Sequence, residues 1–301
     1  MLGNFQLPLS VSQTGTIFLS IIIEALPFVL IGAILSGFIE VFVTPDIVHK
    51  YLPKNKILAV LFGSLIGVVF PSCECGIVPI VHRMLEKKIP SYTAIPFLVT
   101  APIINPIVLF ATFTAFGNSL TIALYRAFGA ILTSFILGII LVFFVKEPIA
   151  KRTKDICHHK NVSPKTTWQK IGASFIHAVD EFFETGPYLV AGCLFASIVQ
   201  VYVPTTFLRT IGHQPVTAIL LMMLLAFLLS LCSEADAFIA ASLLSSFGIA
   251  PIMAFLVIGP MIDVKNLMMM QSYFKGKYIL SFIVTIVIII LSYSLIIGGM
   301  I

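Results

Sequence analysis

Between Tyr278 and Ile301 there is no charged side chain at all, and between Ile57 and Val81 only Glu74. A helix of about 20 apolar residues crosses the hydrocarbon of a bilayer, so runs of this length need lipid as their solvent. Composition agrees: the 301 residues are 59% hydrophobic and 10% charged, against about a quarter charged in a soluble domain. With a mean hydropathy of +1.08, the chain lacks the polar shell that a soluble core requires. The expected fold is an all-α integral membrane protein.

Eight apolar runs stand out, at about 14–43, 57–81, 92–116, 119–145, 171–203, 215–234, 237–262 and 278–301. They predict about eight transmembrane helices. Several are interrupted by Pro, Gly and acidic residues, which split a span or make it re-entrant. Met1 to Thr16 holds no Lys or Arg, so it has no basic n-region and the first helix is expected to be retained. The segment from Lys146 to Lys170 is rich in Lys and is expected to be cytoplasmic by the positive-inside rule. Eight simple spans then leave Lys50, Lys54, Lys56, Lys275 and Lys277 on the opposite side, a conflict with that rule.

This linker divides the chain into a first membrane repeat, 1–145, and a second, 171–301. Glu24, Pro27 and Gly32 recur 160 positions later as Glu184, Pro187 and Gly192, and Glu74 recurs as Glu234. Phe97-Leu98-Val99 with Pro102 and Asn105 returns as Phe255-Leu256-Val257 with Pro260 and Asp263. Shared Leu and Val carry little weight in apolar helices, whereas intramembrane acids and prolines carry more. Two repeated halves with Pro/Gly-broken helices at the centre are therefore expected, parallel if each half crosses four times and inverted if each contains one re-entrant segment.

The most specific stretch is Pro71-Ser72-Cys73-Glu74-Cys75-Gly76-Ile77-Val78-Pro79. Pro71, Gly76 and Pro79 are expected to break the helix near mid-membrane, because proline removes a backbone donor and glycine is helix-weakening. On a regular helix Cys73 and Cys75 point apart, whereas unwound backbone would let both thiols and Glu74 meet one soft or borderline cation. In the second half, Cys232-Ser233-Glu234-Ala235-Asp236 offers one thiol and two carboxylates. The two motifs are expected to face each other as one substrate site, with Cys73 and Cys75 as metal ligands. The plain alternative is a small apolar Cys beside a helix-capping acid.

Glu24 and Glu184 each precede a Pro within a long apolar span. Charge at such depth costs about 3 kcal/mol or more unless paired or hydrated, so both are candidate proton or cation carriers facing protein or water, with Arg126 as a possible partner. Interfacial placement is the alternative, and the preferred one for Asp180-Glu181. Asn105 and Asp263, at the paired Pro-centred breaks, are further candidates for lining the pathway. Cys157-His158-His159 reads as solvated loop, and Met268-Met269-Met270 as packing. No Gly-x-x-x-x-Gly-Lys-Ser/Thr loop is present, so ATP hydrolysis within this chain is not expected.

Taken together, Pro71-Ser72-Cys73-Glu74-Cys75-Gly76, Thr100-Ala101-Pro102 with Asn105-Pro106, and Ser233-Glu234-Ala235-Asp236-Ala237 resemble the permeases typified by YraQ and YcgR, a family that includes the organoarsenical exporter ArsP. The resemblance covers nearly the whole chain and is closest to YcgR-like bacterial members. It implies a multi-pass permease of the bacterial inner membrane, paired in some relatives with a second membrane protein. In the exporter branch it implies efflux of trivalent methylated arsenic on thiols, with Cys73 and Cys75 as the matching positions. The expectation is a transporter rather than an enzyme, without cofactor or nucleic-acid partner, moving a thiol-binding metal or metalloid species through thiols and carboxylates. Two other readings stay open: a membrane thiol oxidoreductase cycling Cys73 and Cys75, and a non-transporting subunit of a membrane complex.

Overall fold

A computed structural model describes residues 9–42, 52–68, 74–144, 149, 167–202 and 214–300. Among them are twelve α-helices: α1 (Leu9–Phe42), α2 (Lys56–Ile66), α3 (Glu74–Glu86), α4 (Ser91–Ile104), α5 (Pro106–Ala115), α6 (Leu120–Phe144), α7 (Thr167–Tyr202), α8 (Pro215–Leu229), α9 (Ser233–Phe247), α10 (Ile249–Ile258), α11 (Val264–Tyr273) and α12 (Gly276–Met300). Four stretches, within α1, across α4 and α5, in α6 and in α12, are long and apolar enough to span a membrane. The protein is therefore a multi-pass membrane protein. Two of the eight apolar runs are each shared by two helices: 57–81 by α2 and α3, and 237–262 by α9 and α10.

The breaks have local causes. Pro102 lacks the N–H that would continue the α4 ladder and Pro106 follows close behind, so the backbone of Asn105 turns to ψ 131. Its side chain then caps the next helix, Oδ1 accepting from the Ile107 N–H at 2.9 Å with Pro106 at the first helical position. The second half solves the same problem similarly. After Gly259 and Pro260, Asp263 caps α11 by accepting the Asn266 N–H at 2.5 Å.

Small residues set the packing. A Cβ added at Gly63 would fall 2.2 Å from the Thr93 carbonyl oxygen, and one at Gly67 would fall 2.7 Å from the Ala101 Cα. Both residues advance together, so α2 runs parallel to α4. Since α3 enters α4 through the tight turn at Lys87–Pro90, α3 runs back against α4. At about 1.5 Å per residue, α2 and α3 reach only about 16 and 20 Å, short of a roughly 30 Å hydrocarbon core.

The long helices α1 and α7 pack on each other through Gly37, whose added Cβ would lie 2.2 Å from the Ser174 carbonyl oxygen. Gly32 brings α1 onto α3 at Gly76, and Gly192 brings α7 onto α11 at Lys265. Gly37→Leu should therefore lower the unfolding temperature of the purified protein, by about 1–3 kcal/mol of overpacking. Gly172→Leu, where nothing lies within 4 Å, should leave it nearly unchanged.

Candidate functional site

Helices α3 and α11 lie side by side, in contact at both ends. Glu74 Oε1 meets Lys265 Nζ at 3.4 Å, and eight residues further along each helix the rings of His82 and Tyr273 stack with centroids 4.5 Å apart. Equal steps on both helices mean that they run parallel and in register. Between these ends, Val78 and Met269 are fully buried, so an apolar layer separates two polar clusters.

The first cluster sits where the broken helices begin. Glu74 is 1% and Lys265 3% exposed, which places an ion pair in a dry environment where each charge depends on the other. Glu74 Oε2 also accepts from the Ser233 hydroxyl at 3.4 Å, while Lys265 Nζ stands 3.8 Å from Asp263 Oδ2. The Lys265 backbone N–H donates to Ser230 Oγ at 3.3 Å, tying α11 to the break after α8. Asp236 is equally buried, its carboxylate packed against Gly259, and neither of its oxygens has a hydrogen bond among the described residues.

Arg126 closes the cluster from α6. Fully buried, it donates to Thr112 Oγ1 at 2.6 Å, to the Ser233 carbonyl at 3.0 Å and to the Leu256 carbonyl at 3.2 Å. One guanidinium thus stitches α5 and α6 to α9 and α10, with Asp236 and Glu234 within electrostatic reach. Arg126 serves this junction, not Glu24 or Glu184.

The second cluster holds Glu181, 1% exposed on α7. Its carboxylate accepts from Arg83 Nε and Nη2, both at 2.8 Å, from the Tyr273 hydroxyl at 2.5 Å and from the Ser36 hydroxyl at 3.3 Å. Thr185 bonds the same Tyr273 hydroxyl, and Arg83 Nη1 reaches Glu86 at 2.7 Å. His82 Nε2 stands 3.3 Å from Glu86 Oε1 without forming a hydrogen bond. Of the pair expected at the interface, Asp180 is exposed and Glu181 is buried among the Arg83, Tyr273 and Ser36 donors.

Other expectations are corrected. Glu74 and Cys75 occupy the first turn of α3 rather than unwound backbone, and Gly76 and Pro79 lie inside that helix. Gly76 serves as the seat for Gly32, and a single proline removes one ladder bond without ending a membrane helix whose neighbours hold it. Glu24 and Glu184 are both exposed on this chain, Glu24 beside the thiol of Cys232 and Glu184 close to Glu181 and Arg83. Asn105 and Asp263 are buried caps, and Glu234 is half-buried. Cys73, Cys157, His158 and His159 lie outside the described residues. Among the described residues no group of three or more His, Cys, Asp or Glu is arranged to hold a metal.

Lys265, Arg83 and Glu181 are the functional candidates that sequence reasoning missed. The available signal for Lys265 was its place two residues beyond the Gly259 to Asp263 break, where an acid had already been singled out.

Buried charges within a multi-pass helical bundle mark a functional site in a membrane protein, and the family match makes the class that of a permease. Residues 10–299 match the family described as "Predicted permease", ArsP_1, and the chain belongs to it. A Streptococcus mutans protein named as a candidate subunit of a two-component membrane permease complex is 64% identical over 98% of each chain. YcgR of Bacillus subtilis is 48% identical, over 95% of this chain and 97% of its own. No solved structure matches the chain.

Arg126→Met should cost about 3–5 kcal/mol, because it strips three acceptors of their donor and leaves Asp236 without its nearest cation. Arg126→Lys should not restore stability, since an ammonium cannot fork to three partners from that position. Unfolding temperature and membrane abundance check both.

Proposed function

We propose that the chain is an inner-membrane permease of bacteria that moves a small cationic, thiol-binding metal species through the buried cluster around Glu74, Lys265, Asp263 and Asp236. The observation that carries this reading is the Glu74–Lys265 pair, formed between a helix of the first half and one of the second and closed off from solvent. Glu74 and Asp263 both reach Lys265, with Asp236 and Glu234 within electrostatic range, and acids at such depth suit a cationic cargo better than an anion. Thiols accompany them: Cys75 and Cys193 both lie within electrostatic reach of Lys265. Carboxylate and thiolate together suit a borderline cation.

Glu24 beside Cys232, and Glu184 beside the Glu181 cluster, serve as the approaches from the two faces. A correspondence between the halves supports the arrangement: Gly32 seats α1 on α3 as Gly192 seats α7 on α11. The two-component name of the Streptococcus relative supports a second membrane protein as working partner.

Flux of Zn2+ into vesicles containing the purified chain, with and without its co-purifying membrane partner, tests the proposal. Glu74→Gln and Asp263→Asn should each slow flux about ten- to a hundredfold, the loss expected for a hydrogen bond to a charged group. Cys73→Ser with Cys75→Ser should abolish flux with abundance unchanged, while Cys157→Ser should have little effect. Undiminished flux in Glu74→Gln would remove this cluster from the pathway.

A further inference from the structure

Lys265 stands where a transported cation would have to bind. Its ammonium lies between Glu74 Oε1 at 3.4 Å and Asp263 Oδ2 at 3.8 Å, longer than the roughly 2.8 Å of a tight charge-assisted hydrogen bond. The contrast lies at the far end of α3, where Arg83 holds Glu181 of α7 through two contacts of 2.8 Å, both to Oε2, the length of a tight charge-assisted bond. Lys265 bridges the two carboxylates through one long hydrogen bond, to Glu74, and a longer contact with Asp263.

We propose that Lys265 is a tethered competitor for the cargo: its ammonium holds Glu74 and Asp263 together until an incoming cation displaces it, and its return helps expel that cation. The proposal rests on the reading of this cluster as the cargo site. Charge supports it. Glu74, Asp236 and Asp263 face Lys265 and Arg126 in the same buried volume, with Glu234 half-buried beside them and the thiols of Cys75 and Cys193 within electrostatic reach of Lys265. Arg126 directs its donors to two carbonyls and a hydroxyl, so Lys265 alone makes direct ion pairs with the acids of this cluster among the described residues.

The side chain suits the task. A lysine is a compact charge on a flexible stem, able to swing away while its backbone stays fixed, whereas the planar fork of arginine locks onto carboxylates. The Lys265 backbone is held by its bond to Ser230 and by Gly192 packed against its Cα, leaving the stem as the moving part. Cation affinity is then set by competition: the apparent affinity falls by the fraction of time for which the ammonium vacates the acids.

Binding of Zn2+ to the full chain in detergent, read from the shift in unfolding temperature across a titration, tests the proposal. Lys265→Gln should bind Zn2+ about tenfold more tightly than the parent if the ammonium occupies the site about nine-tenths of the time. Adding Glu74→Gln should cancel that gain. Lys265→Arg should bind more weakly than the parent, and it decides the matter should Lys265→Gln fail to fold: equal or tighter binding in Lys265→Arg overturns the competition. Unchanged affinity in Lys265→Gln, with binding lost in Glu74→Gln alone, overturns Lys265 as competitor and leaves the cation site standing. Failure of Zn2+ to bind parent and variants alike overturns both.

Discussion

A carboxylate shut away from water must keep a cation beside it or take up a proton, and the Glu74–Lys265 pair meets that constraint in this bundle. It fixes α3 against α11 in register, because the pair at one end and the His82–Tyr273 stack at the other allow one alignment. It also fixes where the long spans break, since Lys265 can face Glu74 only if α11 starts afresh after Gly259 and Pro260. Asp263, which caps that new start, is thereby delivered to the same ammonium. Stability and function draw on the same charges here: removing either partner leaves a buried ion alone, which costs several kcal/mol.

Two devices surround this pair and differ in character. Arg126 spends its donors on neutral acceptors from three helices, which makes it a joint between the halves. Glu181, ringed by Arg83, Tyr273 and Ser36, closes the far end of the α3–α11 seam. The buried apolar layer at Val78 and Met269 lies between the clusters. On the proposed function, a cation leaving Glu74 in that direction would meet first an apolar layer and then the Arg83–Glu181 ion pair.

Much of this was legible in the sequence, for a physical reason: hydropathy reports depth in the bilayer. Apolar runs located the helices, and Pro and Gly located the breaks at Asn105 and Asp263, because lost backbone donors act locally. Depth does not reveal direction around a helix. Glu24 and Glu184 read as facing protein or water, and both are exposed on this chain, while Glu181, three residues from Glu184, turns inward to Arg83. Lys265 was passed over because its partner lies 191 residues away, and a pairing between distant helices leaves no local trace. The helix through Gly76 and Pro79 was misread for the opposite reason. Those residues suggested a break, and tertiary packing of Gly32 on Gly76 overrode the local preference.

The most direct measurement is an experimental structure of the protein saturated with Zn2+, with the metal located by its anomalous signal. The expected result is a single metal peak bounded by Glu74 and Asp263, with the Lys265 ammonium swung out of ion-pair distance of both. A metal peak elsewhere, with Lys265 still bridging the two carboxylates, would contradict the account.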